Sequence, residues 1–451
     1  MNFDALANTM NISDVAAYSE RNAIILSSLK DDDPSFTCLI LRNFSGDADC
    51  CDYSYYHKGI RDMEWLGHCV GKNTHLEDLC FGNADNFINS KESFCRGLKS
   101  NKSVQRLTFY DSNLSEIDIF QFVEPFIKHN PSLIRIEISE CELGGGVCHT
   151  LSLALRGRTI KSLKHFTLTE CHIDDEHLGE VISSLSMHPH LEGLRLKGNG
   201  MGRIGTTALA NIVLRAATVL RKVDLSNNNI DDDGIEQLAL ALASNGTLQN
   251  LDLSRNSFIT IRGWRAISTL LEAPNFILQE LSVVRNEIDD DGAVAFASAL
   301  TNNCTLKTLD LRSNTAITNK GWRAFSKLLC DTSSVKATYI SNHTLSSLSY
   351  SVDRHRHRMP SDLVSSLDLN RDRSETHAAI VKILKHYVHF DMHPLFEWGF
   401  KMLPLVMKWM EAARDCPTDF DKDTRRRKLS ALYQFIRAMP MMYVEACTGV
   451  I

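Results

Sequence analysis

Every 28 to 30 residues this chain returns to an apolar residue followed by apolar residues three and five places later, Asn or Cys eight places later and another apolar residue ten places later. The clearest copies are Leu220-Val223-Leu225-Asn228-Ile230, Leu248-Leu251-Leu253-Asn256-Phe258 and Leu278-Leu281-Val283-Asn286-Ile288. Others start at Leu76, Val104, Leu133, Leu163, Leu191, Leu306 and Val335. Alternating burial predicts a short strand, and the stretches that follow, such as 234–243 and 292–300, have helical spacing. No such unit can bury its own apolar face, so the units must stack. Strands stack about 4.8 Å apart whereas helices need roughly 10 Å, so the stack is expected to curve with its strands on the concave side.

This spacing resembles the leucine-rich-repeat consensus LxxLxLxxN/CxL. Asp231-Asp232-Asp233-Gly234 recurs as Asp289-Asp290-Asp291-Gly292, and Gly263-Trp264-Arg265-Ala266 recurs as Gly321-Trp322-Arg323-Ala324, both after 58 residues. Such alternating units resemble the ribonuclease-inhibitor-like class. The resemblance implies an α/β right-handed solenoid, or horseshoe, of ten β-α repeats with a C-terminal α-helical module. The expected divisions are an N-terminal cap over 1–75, the array over 76–345, a polar basic linker over 346–373 and the helical module over 374–451. Within the cap, Phe36-Leu39-Leu41 followed by a helix over 60–70 reads as an irregular extra repeat. The module, with Leu403-Pro404-Leu405-Val406-Met407-Lys408-Trp409, resembles the tails of expanded leucine-rich-repeat families in single-celled algae, a likeness that implies a fold and no activity.

Residues 346–451 carry 16 Lys and Arg against 13 Asp and Glu, so the net charge of −6 comes from the residues before them. An acidic array does not suit a phosphate track, which argues against nucleic acid as the main partner. Neither a secretory signal nor an apolar run of membrane-spanning length is visible. The thirteen cysteines lack any CxxC pair, which fits reduced thiols and a cytoplasmic setting, with nuclear entry open.

Several motifs invite chemical readings. Gly200-Met201-Gly202-Arg203-Ile204-Gly205 is a literal GxGxxG, followed at a plausible distance by Asp224, yet Asn199 and Met201 fill ordinary repeat positions. The DDDG segment at Asp231 has Leu242 where a calcium loop needs a glutamate, and reads as helix capping. His386, His389 and His393 lie near Asp391, but solvated histidines on an amphipathic helix are commoner than a metal site. Arg425-Arg426-Arg427-Lys428 reads as a solvated first helical turn balanced by Asp419, Asp421 and Asp423. With no familiar nucleophile or nucleotide loop, the chain is expected to be no enzyme and to need no cofactor or metal.

The repeat register turns the fifth and eighth places toward solvent. Arg195, Asp224, Asp252, Asp310 and Tyr339 stand at the fifth place, and Arg255 and Arg285 at the eighth. Such columns are either a self-satisfied ladder of ion pairs or a recognition face for a charged protein partner. The second reading makes the chain a non-catalytic protein–protein interaction scaffold. The alternative is a GTPase-activating protein with a small GTPase as partner, because the Ran GTPase activators are built from similar repeats. That resemblance carries no residue over.

Overall fold

The computed structural model describes residues 11–16, 19–42, 53–56, 60–82, 91–115, 119, 123–156, 162–214, 219–349, 359–371 and 374–387. The chain divides into two compact units, Met1–Glu287 with Leu311–Asn314, and Ile288–Asp310 with Thr315–Ile451.

The strands of the first unit are β1 (Cys38–Arg42), β2 (Ser54–Tyr56), β3 (Asp78–Gly82), β4 (Arg106–Tyr110), β5 (Arg135–Ser139), β6 (His165–Thr169), β7 (Gly193–Arg195), β8 (Lys222–Asp224), β9 (Asn250–Asp252) and β10 (Glu280–Ser282). They form a parallel sheet in the order β2-β1-β3 and onward to β10. The register sets Leu39, Leu79, Leu107, Ile136, Phe166, Leu194, Val223, Leu251 and Leu281 side by side, all buried. The helices are α1 (Ile12–Val15), α2 (Glu20–Lys30), α3 (Ile60–Lys72), α4 (Lys91–Leu98), α5 (Glu124–His129), α6 (Gly145–Leu155), α7 (Asp175–Ser184), α8 (Arg203–Leu214), α9 (Asp232–Leu242) and α10 (Ile261–Leu271). At the amino-terminal edge, Ile25, Leu26 and Leu29 of α2 are buried. Asn22 donates to Tyr56 O (2.7 Å) and accepts from Tyr56 N (3.1 Å), so a side chain occupies backbone groups of the edge strand β2.

Two ladders of side chains hold successive repeats together. In the turn after each strand, Nδ2 of Asn228 donates to Leu196 O of the preceding repeat and Leu225 O of its own, both at 3.0 Å. Its Oδ1 accepts from Asn199 N and Met201 N. Asn199, Asn256, Asn286 and Asn314 also donate Nδ2 to a carbonyl one repeat earlier. Cys171 does the same with its thiol, donating to Ile138 O and Thr169 O at 3.4 Å. Burial pushes that thiol up to about 12, so it stays a protonated donor. The second ladder lies at the helix ends. There Asn101 Nδ2 donates to Val70 O (2.7 Å) while its Oδ1 accepts from Val104 N (2.9 Å).

The second unit holds β11 (Thr308–Asp310), parallel to β12 (Ser347–Ser349), with α11 (Asp290–Ala299), α12 (Asn319–Leu329), α13 (Val335–Tyr339), α14 (Ser361–Arg371) and α15 (Glu375–His386). Two expectations are corrected here. The copy starting at Val335 is not a strand: Ser334 Oγ accepts from Ala337 N and caps α13, so Tyr339 lies on a helix and not on the sheet face. The strand of this repeat is β12, which carries Leu348 and follows Leu345, both buried. The expected linker over 346–373 contains β12 and α14. Arg354–Arg358, 395–410, 425–428 and 429–439, and His389, Asp391 and His393, lie outside the described residues.

Candidate functional site

The two motifs most suggestive of ligand chemistry are already filled by the protein. At the glycine-rich turn, Asp175 of the preceding repeat accepts from Gly202 N (2.7 Å), Gly205 N (2.7 Å) and Ile204 N (2.8 Å). Its carboxylate occupies the place at the start of α8 where a dinucleotide phosphate would sit. The DDDG segment divides its work among three side chains. Asp231 accepts from Gly234 N and caps its own helix. Asp232 accepts from Thr260 N (2.8 Å), Thr260 Oγ1 (2.6 Å) and Gly263 N (2.9 Å), and so caps the helix of the next repeat. Asp233 pairs with Arg262 and Arg203. Asp290 repeats this with Thr318 and Gly321 in the second unit. The 58-residue echo therefore marks the two halves of an inter-repeat staple. Asp175→Ala, which leaves three helix N–H groups without that acceptor, is expected to destabilise the first unit by about 2 kcal/mol. A urea midpoint unchanged from wild type would contradict this role.

On the sheet face the expected charges are partly spent on one another. The register places Arg195 beside Asp224 and Asp224 beside Asp252. Arg195 Nε lies 3.1 Å from Asp224 Oδ2, and Asp224 Oδ1 also accepts from Ser226 N and Oγ. Asp252 accepts from Ser254 N at 2.8 Å. Burial pushes the Asp252 carboxyl above its ordinary value, with Asp224 adding to the shift and Ser254 opposing it. Asp310 belongs to β11 of the second unit and is buried there.

The unspent charge lies on the rim, at the turns that follow the strands. The residue before each of these Asn, Cys or Ser positions sits in the left-handed region: Asp111, Glu140, Glu170, Asn227, Arg255, Arg285 and Ser313 have φ between 46° and 61°, and Gly198 has 71°. L-residues enter this region at a cost of roughly 1 kcal/mol, and here the turn imposes it in each of these repeats. The side chains point outward. Asp111, Glu140, Glu142, Glu170, His172 and Asp174 line an open groove of about 1040 Å³ in the first unit. Glu170 is paired with Lys197 (2.9 Å) and Asp174 with His177 (2.7 Å). The side chains of Asp111, Glu140 and Glu142, and farther along those of Arg255 and Arg285, are solvent-exposed and make no ion pair with a described residue. Sequence reasoning found the two arginines but missed the three carboxylates. The same slot, one residue before the rung, identifies Asp111 and Glu140 once it is read in the repeats that carry Ser or Cys in place of Asn.

No group of His, Cys, Asp and Glu among the described residues is placed to hold a metal ion, and the described cysteines are free thiols. No described helix is long and apolar enough to cross a membrane.

These features define a repeat protein in which strand, rung and staple are structural and the exposed charges form a surface. A family model described as Leucine Rich repeat matches residues 216–239, 275–297 and 302–326. NACHT, LRR and PYD domains-containing protein 14 of Mus musculus is 27% identical over 260 residues, covering 56% of this chain and 26% of that protein. Ribonuclease inhibitor of Sus scrofa is 27% identical over 220 residues, covering 48% of this chain and 47% of the inhibitor. An internalin of Listeria monocytogenes is similar in structure with a TM-score of 0.42 and 17% identity, covering 79% of this chain and 95% of the internalin. The chain spans about a quarter of the length of the NACHT-containing relatives it matches. Its repeats are leucine-rich repeats, similar to those of the ribonuclease inhibitor.

Proposed function

We propose that this chain is a non-catalytic protein-binding module that engages its partner along the sheet face and turn rim of the first unit. The observation that carries this reading is the unspent charge on the rim, with carboxylates at Asp111, Glu140 and Glu142 and guanidinium groups at Arg255 and Arg285. The groove is wide, open and charged, which suits a protein surface better than a small ligand, whose sites are mostly apolar and enclosed. Similarity to a protein named as a ribonuclease inhibitor supports binding over chemistry. The rim predicts a partner with Lys or Arg facing the β4–β6 turns and an acidic patch facing the β9–β10 turns. Exposed charges of this kind mainly set partner choice and association rate.

Affinity capture from native lysate, comparing wild type with Glu140→Lys/Glu142→Lys, tests this reading. Two reversals in one groove are expected to weaken the retained partner at least about tenfold, with the difference shrinking at 1 M salt, where charges are screened beyond about 3 Å. Retention of the same proteins by both forms at low salt would remove the rim from consideration. A small GTPase in the rim-dependent fraction would favour the activator reading, to be followed by a GTP-hydrolysis assay.

A further inference from the structure

The second unit ends its helix-end ladder with a lysine where the earlier rungs are asparagines. Asn342 Nδ2 donates to Leu300 O and Asn303 O, and Asn370 Nδ2 to Leu345 O at 2.7 Å. At the next position Lys382 of α15 is 1% exposed. Its ammonium donates to Leu329 O (2.6 Å) at the end of α12, to Asn370 Oδ1 (2.9 Å) of α14 and to His343 Nδ1 (3.1 Å). No carboxylate of a described residue is paired with it. The other ring nitrogen of His343 lies 3.1 Å from Tyr339 O, which can only accept. Nε2 therefore carries the proton, and Nδ1 offers the lone pair that Lys382 needs. A second proton on His343 would turn that acceptor into a donor and face an N–H toward an ammonium.

We propose that His343 and Lys382 form an acid-released latch that fastens α14 and α15 to the last strand–helix repeat of the second unit. One buried ammonium joins α12, α14, α15 and the turn carrying His343, so the loss of its imidazole acceptor loosens all four together. A further acceptor, Asn342 O, stands at 3.5 Å, the far limit of a hydrogen bond, and the surrounding titratable groups supply no substitute. At the end of α12, burial raises the Cys330 thiol above its ordinary value, so it stays neutral, and Asp331 faces Lys327 (3.9 Å). On α13 the charged group is Lys336; on α14 they are Asp362, Asp368 and Arg371, the last two paired with each other (3.4 Å). On α15, Lys385 donates to Ser365 Oγ, burial lowers His386, and Glu375 accepts from Thr344 Oγ1 (2.7 Å). Glu375 is the carboxylate that favours a charged His343. It is outweighed by burial first and Lys382 second, which together hold His343 down to about 4 from 6.5.

The sign follows from proton linkage. The folded unit holds its histidine less basic than the unfolded chain does, so the unfolded state binds the extra proton first and stability falls as pH drops from 6.5 through 4. Native-state hydrogen exchange on the full chain reads this locally. From pH 6.5 to 4, protection of α14 and α15 in wild type is expected to fall about 100-fold, while α7 to α9 serve as the internal reference. In His343→Asn, whose Oδ1 can accept from Lys382 and never protonates in this range, the fall should be less than about threefold. Level protection in wild type, or an equal fall in both proteins, would overturn the latch and leave Glu375 or other carboxylates as the acid-sensitive contacts. Should the variant fail to fold, titration of the wild-type His343 ring by NMR decides: a midpoint near 4 supports the latch, and one near 6.5 refutes it.

Discussion

Asn256→Leu is expected to destabilise the first unit by about 4 kcal/mol, among the largest effects of any single polar substitution in this chain. Asn256 is fully buried. Its Nδ2 donates to Leu225 O (3.0 Å), Leu253 O (3.0 Å) and Ser254 O (3.3 Å), and its Oδ1 accepts from Ile230 N (3.3 Å). Leucine has nearly the same shape and satisfies none of the four. Ile230 N is left without that acceptor, at roughly 1 to 3 kcal/mol, and Leu225 O, Leu253 O and Ser254 O each lose one donor at roughly 1 kcal/mol while keeping Asn228 Nδ2, Asn286 Nδ2 and Asn227 N; apolar burial regains only part of the sum. Asn256→Cys should cost about half as much, because Cys171 shows that a thiol in the same slot still reaches two carbonyls. Urea denaturation of the two variants supplies the comparison. A leucine variant within 1 kcal/mol of wild type would mean that the rungs are incidental to the stack.

This expectation arises from a pattern visible in the sequence, and the limits of that pattern are physical. The strands β3 to β11 fall where the apolar spacing puts them, because burial of alternate residues is a local property that each repeat states for itself. The failure at Val335 shows what the spacing omits. Val335 and Thr338 match the first two apolar places loosely, but Ser334 supplies a side-chain cap and the segment closes into a helix. A local hydrogen bond outcompetes a weak period. The proposed binding surface was legible only in part for a different reason. Solvent-facing positions follow from the register, yet whether a charge is free depends on its neighbour one repeat away. Arg195 and Asp224 are 29 residues apart in sequence and neutralise each other in space, while Glu140 and Glu142, which the sequence does not distinguish from any other exposed glutamates, remain unpaired. The staple is intermediate. Asp231 and Asp232 both read as caps, but only the fold shows that Asp232 serves the helix 28 residues later.

Close approach of two helices is the feature least visible in the sequence, and it carries the other large expected effect. Gly67 and Gly71 of α3 face α4, and a Cβ at Gly71 would come 2.6 Å from Gly97 O. A Cβ at Gly67 would come 2.5 Å from the Phe94 Cα. From the other side, a Cβ at Gly97 would overlap the carbonyl of Gly67. These obstacles are backbone atoms, which no rotamer change can move. Gly97→Ala must therefore push α3 and α4 apart, opening space beside Phe94, Leu66 and Val70, all of them buried. Overpacking of this kind costs about 3 kcal/mol, partly offset by the better helix propensity of alanine, about 1 kcal/mol. A net loss of at least about 2 kcal/mol is expected for the first unit. Gly144→Ala is the control, since a Cβ there meets nothing within 4 Å; it should stay within about 1 kcal/mol of wild type, because alanine is the poorer N-cap. Equal urea midpoints for the two variants would show that α3 and α4 separate without penalty, and the close packing would then lose its claim to organise the amino-terminal end of the stack.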